Sequence, residues 1–278
     1  MMIDILLSTY NGEKYLTVLL DSIISQSYEC WRLIVRDDES TDSTLKILRD
    51  FQEKYPTKIE ILDDTLGNIG PLRSFEQLLV HSKENYIMFC DQDDIWLPFK
   101  ISDSITELIK TERENLDQPI IAITDLTIVD ANLNVIHDSA WRYMKIYPTS
   151  FVDPINLGMR NYVIGCTLLL NKAARDVSLP FPSDALMHDW WIGLATLSNQ
   201  GRICPVKKPT ILYRQHSANT VGARAINYPR MLLRFMNLSY YLQGHRMVLK
   251  QLKAANINLG WLRSVYFRIY YAIRSHIR

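Results

Sequence analysis

Five short apolar runs punctuate the first 124 residues, at 3–8, 31–36, 59–63, 86–90 and 120–124, and polar or glycine-rich residues follow each one. Runs of this length, bounded by turn formers, predict strands. Between them the apolar spacing changes. Leu16, Leu19, Leu20, Ile23 and Ile24 recur at the interval of a helix over 15–26. Thr41, Asp42 and Ser43 stand where a cap would start a helix running to residue 54, and Asp42 is best read as a capping carboxylate. A further helix is expected over 73–82. Strands that alternate with helices predict an α/β fold, Rossmann-like, with a mostly parallel mixed sheet flanked by helices. Ligands of such sheets sit where loops leave the carboxyl ends of strands. Polar clusters fall at those places: Thr9-Tyr10-Asn11, Asp37-Asp38 and Asp91-Gln92-Asp93-Asp94.

Residues 125–225 are less regular, interrupted by Pro148, Pro154, Pro180, Pro182, Pro205 and Pro209, and read as an extension of the same domain. Gly165-Cys166-Thr167 is expected on an apolar strand. After Tyr228-Pro229 helical patterning runs to the end, so the expected division is one domain over 1–225 and a helical extension over 226–278. On a helical wheel Trp261, Leu262, Val265, Tyr266, Ile269, Tyr270, Ile273 and Ile277 share one half, and Arg263, Arg268, Arg274 and Arg278 the other.

Charge changes the picture more than composition does. The net charge is +1, yet every one of the 30 acidic residues lies within 1–189, and 190–278 carries 14 Lys and Arg with no acid. A basic end of that kind suits a polyanionic surface. With aromatic residues on the apolar side, the expected partner is the anionic inner face of a cell membrane. No nucleic-acid-binding motif accompanies the basic residues, so nucleic acid is not expected. No basic leader precedes the first apolar run and no stretch reaches the ~18 apolar residues of a spanning helix, so the expected location is cytoplasmic and peripheral. Cys30, Cys90, Cys166 and Cys204 lack zinc-site spacing and are expected as free thiols.

The most informative stretch is Cys90-Asp91-Gln92-Asp93-Asp94, set between apolar 86–89 and Ile95-Trp96-Leu97-Pro98. Three carboxylates within four residues repel one another unless a cation offsets them. A hard divalent ion, Mn2+ or Mg2+, does so and can also bridge a nucleotide diphosphate.

Together, Ser8-Thr9-Tyr10-Asn11-Gly12, Asp37-Asp38-Glu39-Ser40-Thr41-Asp42 and Asp91-Gln92-Asp93 stand in the order of the S-x-Y-N, D-D-x-S-x-D and D-x-D segments of glycosyltransferase family 2. The chain resembles that family over about 1–220. The resemblance implies a GT-A-type fold, with 1–124 as the nucleotide-sugar half and 125–225 as the acceptor half. It implies that Thr9, Tyr10, Asn11, Glu13, Asp38, Arg73, Asp91, Gln92 and Arg214 bind the nucleotide sugar, with Asp38 facing the base. Asp93 and His216 would hold the metal. Asp94, Trp96, Asp125 and Trp190 would lie on the acceptor side. Inverting transfer needs one general base. Asp189 in Met187-His188-Asp189-Trp190-Trp191 fits, with His188 standing where the family usually has an acid.

The 213–220 segment, Tyr-Arg-Gln-His at its start, is closest to bacterial rhamnosyltransferase-like members. The expected reaction is therefore transfer from a UDP- or dTDP-sugar, dTDP-L-rhamnose first, to a lipid-linked or polysaccharide acceptor in surface glycan synthesis. UDP-glucose, UDP-galactose and UDP-N-acetylhexosamine donors are the alternatives. A non-catalytic nucleotide-sugar-binding membrane scaffold is the alternative from another class. Nucleotidyl transfer would need a glycine-rich basic loop after the first strand, which Thr9-Tyr10-Asn11-Gly12-Glu13 is not.

Overall fold

The computed structural model describes residues 1–146, 148–149, 152–216 and 238–274. Its amino-terminal half is built from β1 (Ile3–Thr9), α1 (Leu16–Ile24), β2 (Trp31–Asp37), α2 (Thr44–Lys54), β3 (Ile59–Ile61), α3 (Gly70–His81) and β4 (Tyr86–Cys90). Then come β5 (Ile95–Trp96), α4 (Lys100–Glu114), β6 (Ile120–Val129), β7 (Val135–His137), α5 (Ala140–Tyr143), α6 (Pro154–Met159), β8 (Leu168–Asn171), α7 (Lys172–Ser178), α8 (His188–Ser198) and β9 (Arg202–Arg214). Two helices, Leu238–Ala254 and Trp261–Arg274, follow.

The strands form one mixed sheet in the order β3-β2-β1-β4-β8-β6-β9-β5, with β7 added to β6. β3, β2, β1 and β4 run parallel, each pair separated in sequence by a helix. β8 then enters antiparallel to both β4 and β6, and β9 lies parallel to β6. Alternation along the strands divides the core into two layers. Ile3, Ile5, Leu7, Leu33 and Val35 pack with Leu16, Leu20, Leu48 and Ile101 of α1, α2 and α4. Leu6, Ile34, Ile87 and Phe89 face the other way, toward Phe75, Leu78, Ile192 and Leu194 of α3 and α8. The result is a sheet sandwiched between helices, and every site loop leaves it at one end.

The second half is more ordered than its prolines suggest. β6 continues to Val129, beyond the expected end at 124, and β9 spans 13 residues despite containing Pro205 and Pro209. Pro209 falls where the β6–β9 register shifts, a position that tolerates a missing N–H, while Pro205 stays in register opposite Ile123. Gly165–Thr167 is a single 3-10 turn leading into β8 rather than part of the strand.

The Leu238–Ala254 helix packs on α6, where Leu252 is fully buried. A Cβ at Gly158 would meet Leu252 Cδ2 at 2.3 Å, so a side chain there would push the helix away. The Trp261–Arg274 helix is seated on Ser264, whose hydroxyl pairs with His245 Nε2 at 2.7 Å, and on Phe267. The wheel's apolar half is therefore not the seated one: Leu262 is 83% and Tyr266 61% exposed. Among the described residues no helix is long and apolar enough to cross a membrane. Of the four free thiols only Cys30 is exposed. Residues 217–220, 226–237 and 275–278, the remainder of the expected late loop and helical extension, lie outside the described residues.

Candidate active site

Three strand tips converge. At the end of β1, Thr9 donates its hydroxyl to Asp37 Oδ2 at 2.7 Å, and Asp37 also accepts from the backbone and hydroxyl of Ser40. The loop after β1 is stapled to the loop after β2: Asn11 Oδ1 accepts the Thr41 N–H at 2.8 Å, and Glu13 accepts the Ser43 N–H at 2.9 Å. Asp42 accepts the Thr44 N–H at the start of α2. The Gln92 side chain clips Tyr10 from across the cleft, accepting its N–H at 2.9 Å and donating to its carbonyl at 3.0 Å. The Tyr10 ring itself is half exposed.

Asp38 is buried and its carboxylate is fully engaged. It accepts from Arg36 Nη1 at 2.6 Å, from the Ile69 and Gly70 N–H groups at 2.8 and 2.9 Å, and from Ser74 Oγ at 3.1 Å. Burial opposes its ionisation, but these donors outweigh it and hold the carboxyl below the usual range. Arg36, itself buried, also grips Asp64 with two nitrogens and the Gly67 carbonyl. One guanidinium thus fixes the 64–70 loop against the tip of β2.

The acidic loop between β4 and β5 meets the far end of β9. Asp93 Oδ2 lies 2.8 Å from His216 Nε2, and Asp94 Oδ1 accepts the Arg214 N–H at 3.2 Å. Arg214 Nε and Nη1 donate to the carbonyls of Asp93 and Ala131 at 3.0 and 2.9 Å. The Tyr15 ring lies 4.4 Å from the Arg214 guanidinium and 4.9 Å from the His216 ring. Behind the loop, Asp91, Asp94 and Cys166 offer ligand atoms within 4.8 Å of one another. Burial, then Asp93 and Asp189, push Asp91 up to about 7, and burial with Asp93 and Asp91 drives Asp94 well above the carboxylate range. Asp94 Oδ2 is buried with no hydrogen-bond partner. The crowded carboxylates with an unsatisfied buried oxygen fit a hard divalent cation, whereas the Cys166 thiol of the same cluster is a soft donor that such a cation does not seek.

Asp189 occupies the first turn of α8. It accepts from the Gly165 N–H at 3.0 Å, from Asn161 Nδ2 at 3.3 Å and from its own helix's Trp190 N–H at 2.6 Å. Burial nevertheless pushes it up to about 6. Its field reaches Asp91, which places this carboxylate near the acidic loop. Gly165 is obligatory here, because a Cβ would lie 2.6 Å from His188 Nε2. The His188 ring is sealed beneath it, 4.1 Å from Phe75 and 5.2 Å from Phe89, and burial lowers it to about 3.

The model of glycosyl transferase family 2 matches residues 4–177, well over half of the chain. The chain belongs to glycosyl transferase family 2. This family 2 glycosyltransferase is 30% identical over 227 residues to the dTDP-rhamnosyl transferase RfbG of Shigella flexneri, covering 78% of this chain and 74% of that protein. It is 23% identical over 200 residues to the Escherichia coli UDP-Glc:alpha-D-GlcNAc-diphosphoundecaprenol beta-1,3-glucosyltransferase WfgD, covering 71% and 70% of the two chains. Among solved structures, S. aureus TarS 1-349 in complex with UDP-GlcNAc superposes with a TM-score of 0.64 at 18% identity, covering 96% of this chain and 70% of that one. The fold is therefore GT-A.

Several residues of this glycosyltransferase sit differently from the family expectation. Trp96 is buried in the core rather than on an acceptor wall. Asp125 is buried within β6 and spent on Ser139 and on the Leu126 and Trp141 N–H groups, which ties down α5. Arg73 turns away from the cleft to Glu76 and to the Phe181 and Pro182 carbonyls. Trp190 is half-buried, with its indole N–H held by the Leu157 carbonyl at 2.7 Å. Asp94 lies at the floor of the acidic loop, not at its rim. Arg36, Lys100, Asn161 and the Gly165 N–H that donates to Asp189 belong to none of the sequence motifs. For the two buried cations a signal existed: each stands within or beside an apolar segment where only a paired charge is tolerated.

Proposed function

We propose that this glycosyltransferase is inverting and metal-dependent, and that it moves a sugar, dTDP-L-rhamnose being the first choice of donor, to a lipid-linked or polysaccharide acceptor. Support for inversion is the buried carboxylate of Asp189, held by three N–H donors and close enough to the acidic loop for its field to reach Asp91. Its pKa near 6 suits a base that is ionised at neutral pH yet still accepts a proton.

In this reading Asp189 takes the proton of the attacking acceptor hydroxyl. As the new bond from acceptor oxygen to the anomeric carbon forms, the bond from that carbon to the diphosphate oxygen breaks, and the electron pair leaves with the diphosphate. Asp91 and Asp93, with His216, would hold the divalent ion, which when bound stabilises negative charge on the departing diphosphate. Arg214 adds fixed positive charge on that side. Thr9 and Tyr10 line the nucleotide pocket, whose floor is kept in place by Asp38. Asn11, Glu13 and Gln92 act on the nucleotide through the loops they staple. The donor choice rests on the identity to the rhamnosyl transferase. UDP-hexose donors are the second reading, favoured by the names of the glucosyltransferase relative and the UDP-GlcNAc complex.

The decisive experiment offers the purified protein dTDP-L-rhamnose, UDP-glucose, UDP-galactose and UDP-GlcNAc, with and without Mn2+, and measures nucleotide diphosphate release. Release that is fastest from dTDP-rhamnose and abolished by chelation supports the first reading. Release only from a UDP-sugar selects the second, and binding without turnover of any donor would leave a non-catalytic scaffold.

A further inference from the structure

Gln92 stands in the middle of the acidic loop, yet its side chain turns back to the tip of β1. Its amide oxygen accepts the Tyr10 N–H at 2.9 Å and its amide nitrogen donates to the Tyr10 carbonyl at 3.0 Å, so one side chain takes both backbone groups of one residue. The clip needs room at Gly12, where a Cβ would lie 2.4 Å from the Gln92 amide oxygen. Gly12 does not have a left-handed backbone, so it is the approach of the amide that calls for glycine there. The segment that follows returns to the acidic loop by a second route. The Gly12 carbonyl accepts the Tyr15 and Leu16 N–H groups at 3.1 Å, and the Tyr15 ring lies against Arg214 and His216, the partners of Asp94 and Asp93. Residues 10–15, the acidic loop and the end of β9 thus close a ring of contacts. The clip is a part of that ring open to water: both Tyr10–Gln92 bonds are exposed, and water competes for them. A nucleoside laid on the half-exposed Tyr10 ring excludes that water and strengthens the bonds.

We propose that Gln92 is a positioning residue that carries occupancy of the nucleoside pocket to the leaving-group side of the site. With a base seated at Tyr10 the clip closes, and residues 91–94 and the Arg214 end of β9 are held in the arrangement that receives the diphosphate. This deepens the function proposed above and rests on it. A staple that serves folding alone holds the loops together equally with and without nucleoside, whereas a coupler responds to it.

The experiment follows hydrogen exchange at the Arg214 N–H, which Asp94 accepts, in the full chain with saturating uridine or thymidine. Lacking phosphate, these nucleosides leave the diphosphate side empty, and a change at Arg214 has to pass through the protein. In wild type the nucleoside that binds should slow exchange by about 5–150-fold, the usual span of a coupling between sites. Q92M keeps the length of the side chain and loses both hydrogen bonds, and G12A displaces the amide from the other side. Each should cut the slowing to under about twofold while calorimetry still detects the nucleoside. The double variant should match either single one, since both remove the same contact. Slowing at Arg214 that survives in Q92M and G12A, or wild type that binds nucleoside with no slowing, would overturn the proposal. If Q92M does not fold, G12A decides alone, and a G12A protein that also fails makes the clip a folding element only. Wild-type protein that binds neither nucleoside, nor UDP, nor dTDP would sink the transferase reading along with it, whereas binding without transmission removes only the role of Gln92.

Discussion

At the scale of single residues, Asp189 and Asp38 show how differently two buried carboxylates can be used. Asp189 keeps a pKa near 6 because burial outweighs its three donors. A base must be ionised to work, so kcat/KM should rise as pH climbs through about 6 and level off above it. Asp189→Asn should lose about 10²–10⁴-fold in kcat and abolish that rise, while nucleotide binding by calorimetry stays close to wild type. A wild-type pH profile in the variant would remove Asp189 from the mechanism. Asp38 lies at the other extreme, its charge stabilised by Arg36 and two backbone N–H groups. Asp38→Ala leaves Arg36 buried without that partner, so stability should fall by about 3–5 kcal/mol in chemical denaturation. Nucleotide affinity should fall with it as the 64–70 loop loosens. A loss under 1 kcal/mol would show that Asp64 alone satisfies the guanidinium.

At the scale of elements, the amino-terminal half was legible because each strand is a short apolar run and each helix a regular stripe. The tip loops followed from that alternation, and Asp91, Asp93 and Asp189 stood out as carboxylates in apolar surroundings. What could not be read was which side of a strand tip each residue faces. Trp96 and Asp125 carry chemistry suited to a sugar, yet β5 turns one into the core and the register shift in β6 turns the other toward α5. Arg73 likewise has the right charge but lies on the α3 face that meets 181–182. The 3-10 turn at Gly165–Thr167 has the pattern of a strand because its apolar neighbours continue straight into β8. That turn couples α8 to the sheet: Gly165 donates to Asp189 and leaves room for His188. Gly165→Ala should therefore cost about 1–3 kcal/mol by overpacking. Because it also displaces a donor to Asp189, kcat should drop while KM for the nucleotide sugar holds. Crystallography or hydrogen exchange at α8 would register the shift.

At the scale of the whole molecule, the charge is divided: all acids lie before residue 190, and the end of the chain is basic. The Trp261–Arg274 helix presents Leu262 and Tyr266 outward beside exposed Arg263, while Ser264 holds it to the body. Exposed apolar and cationic side chains on one helix suit the headgroup layer of an anionic membrane. We expect the protein to co-sediment with phosphatidylglycerol vesicles and not with neutral ones, and 0.5 M salt to weaken that binding. Leu262→Glu with Tyr266→Glu should abolish it without lowering soluble transfer activity. Equal binding of the double variant would place the contact elsewhere.

The pairings that complete the acidic loop reach far along the chain. Asp94 finds the Arg214 backbone 120 residues later, and Asp93 finds His216 after 123. A ribosome therefore releases the carboxylates long before it has made their partners. Until β9 is threaded beside β6 and β5, a nascent chain carries a naked acidic loop at the end of an otherwise plausible half-sheet. Fragments that stop short of residue 214 should consequently be captured by chaperones rather than by sugar nucleotides.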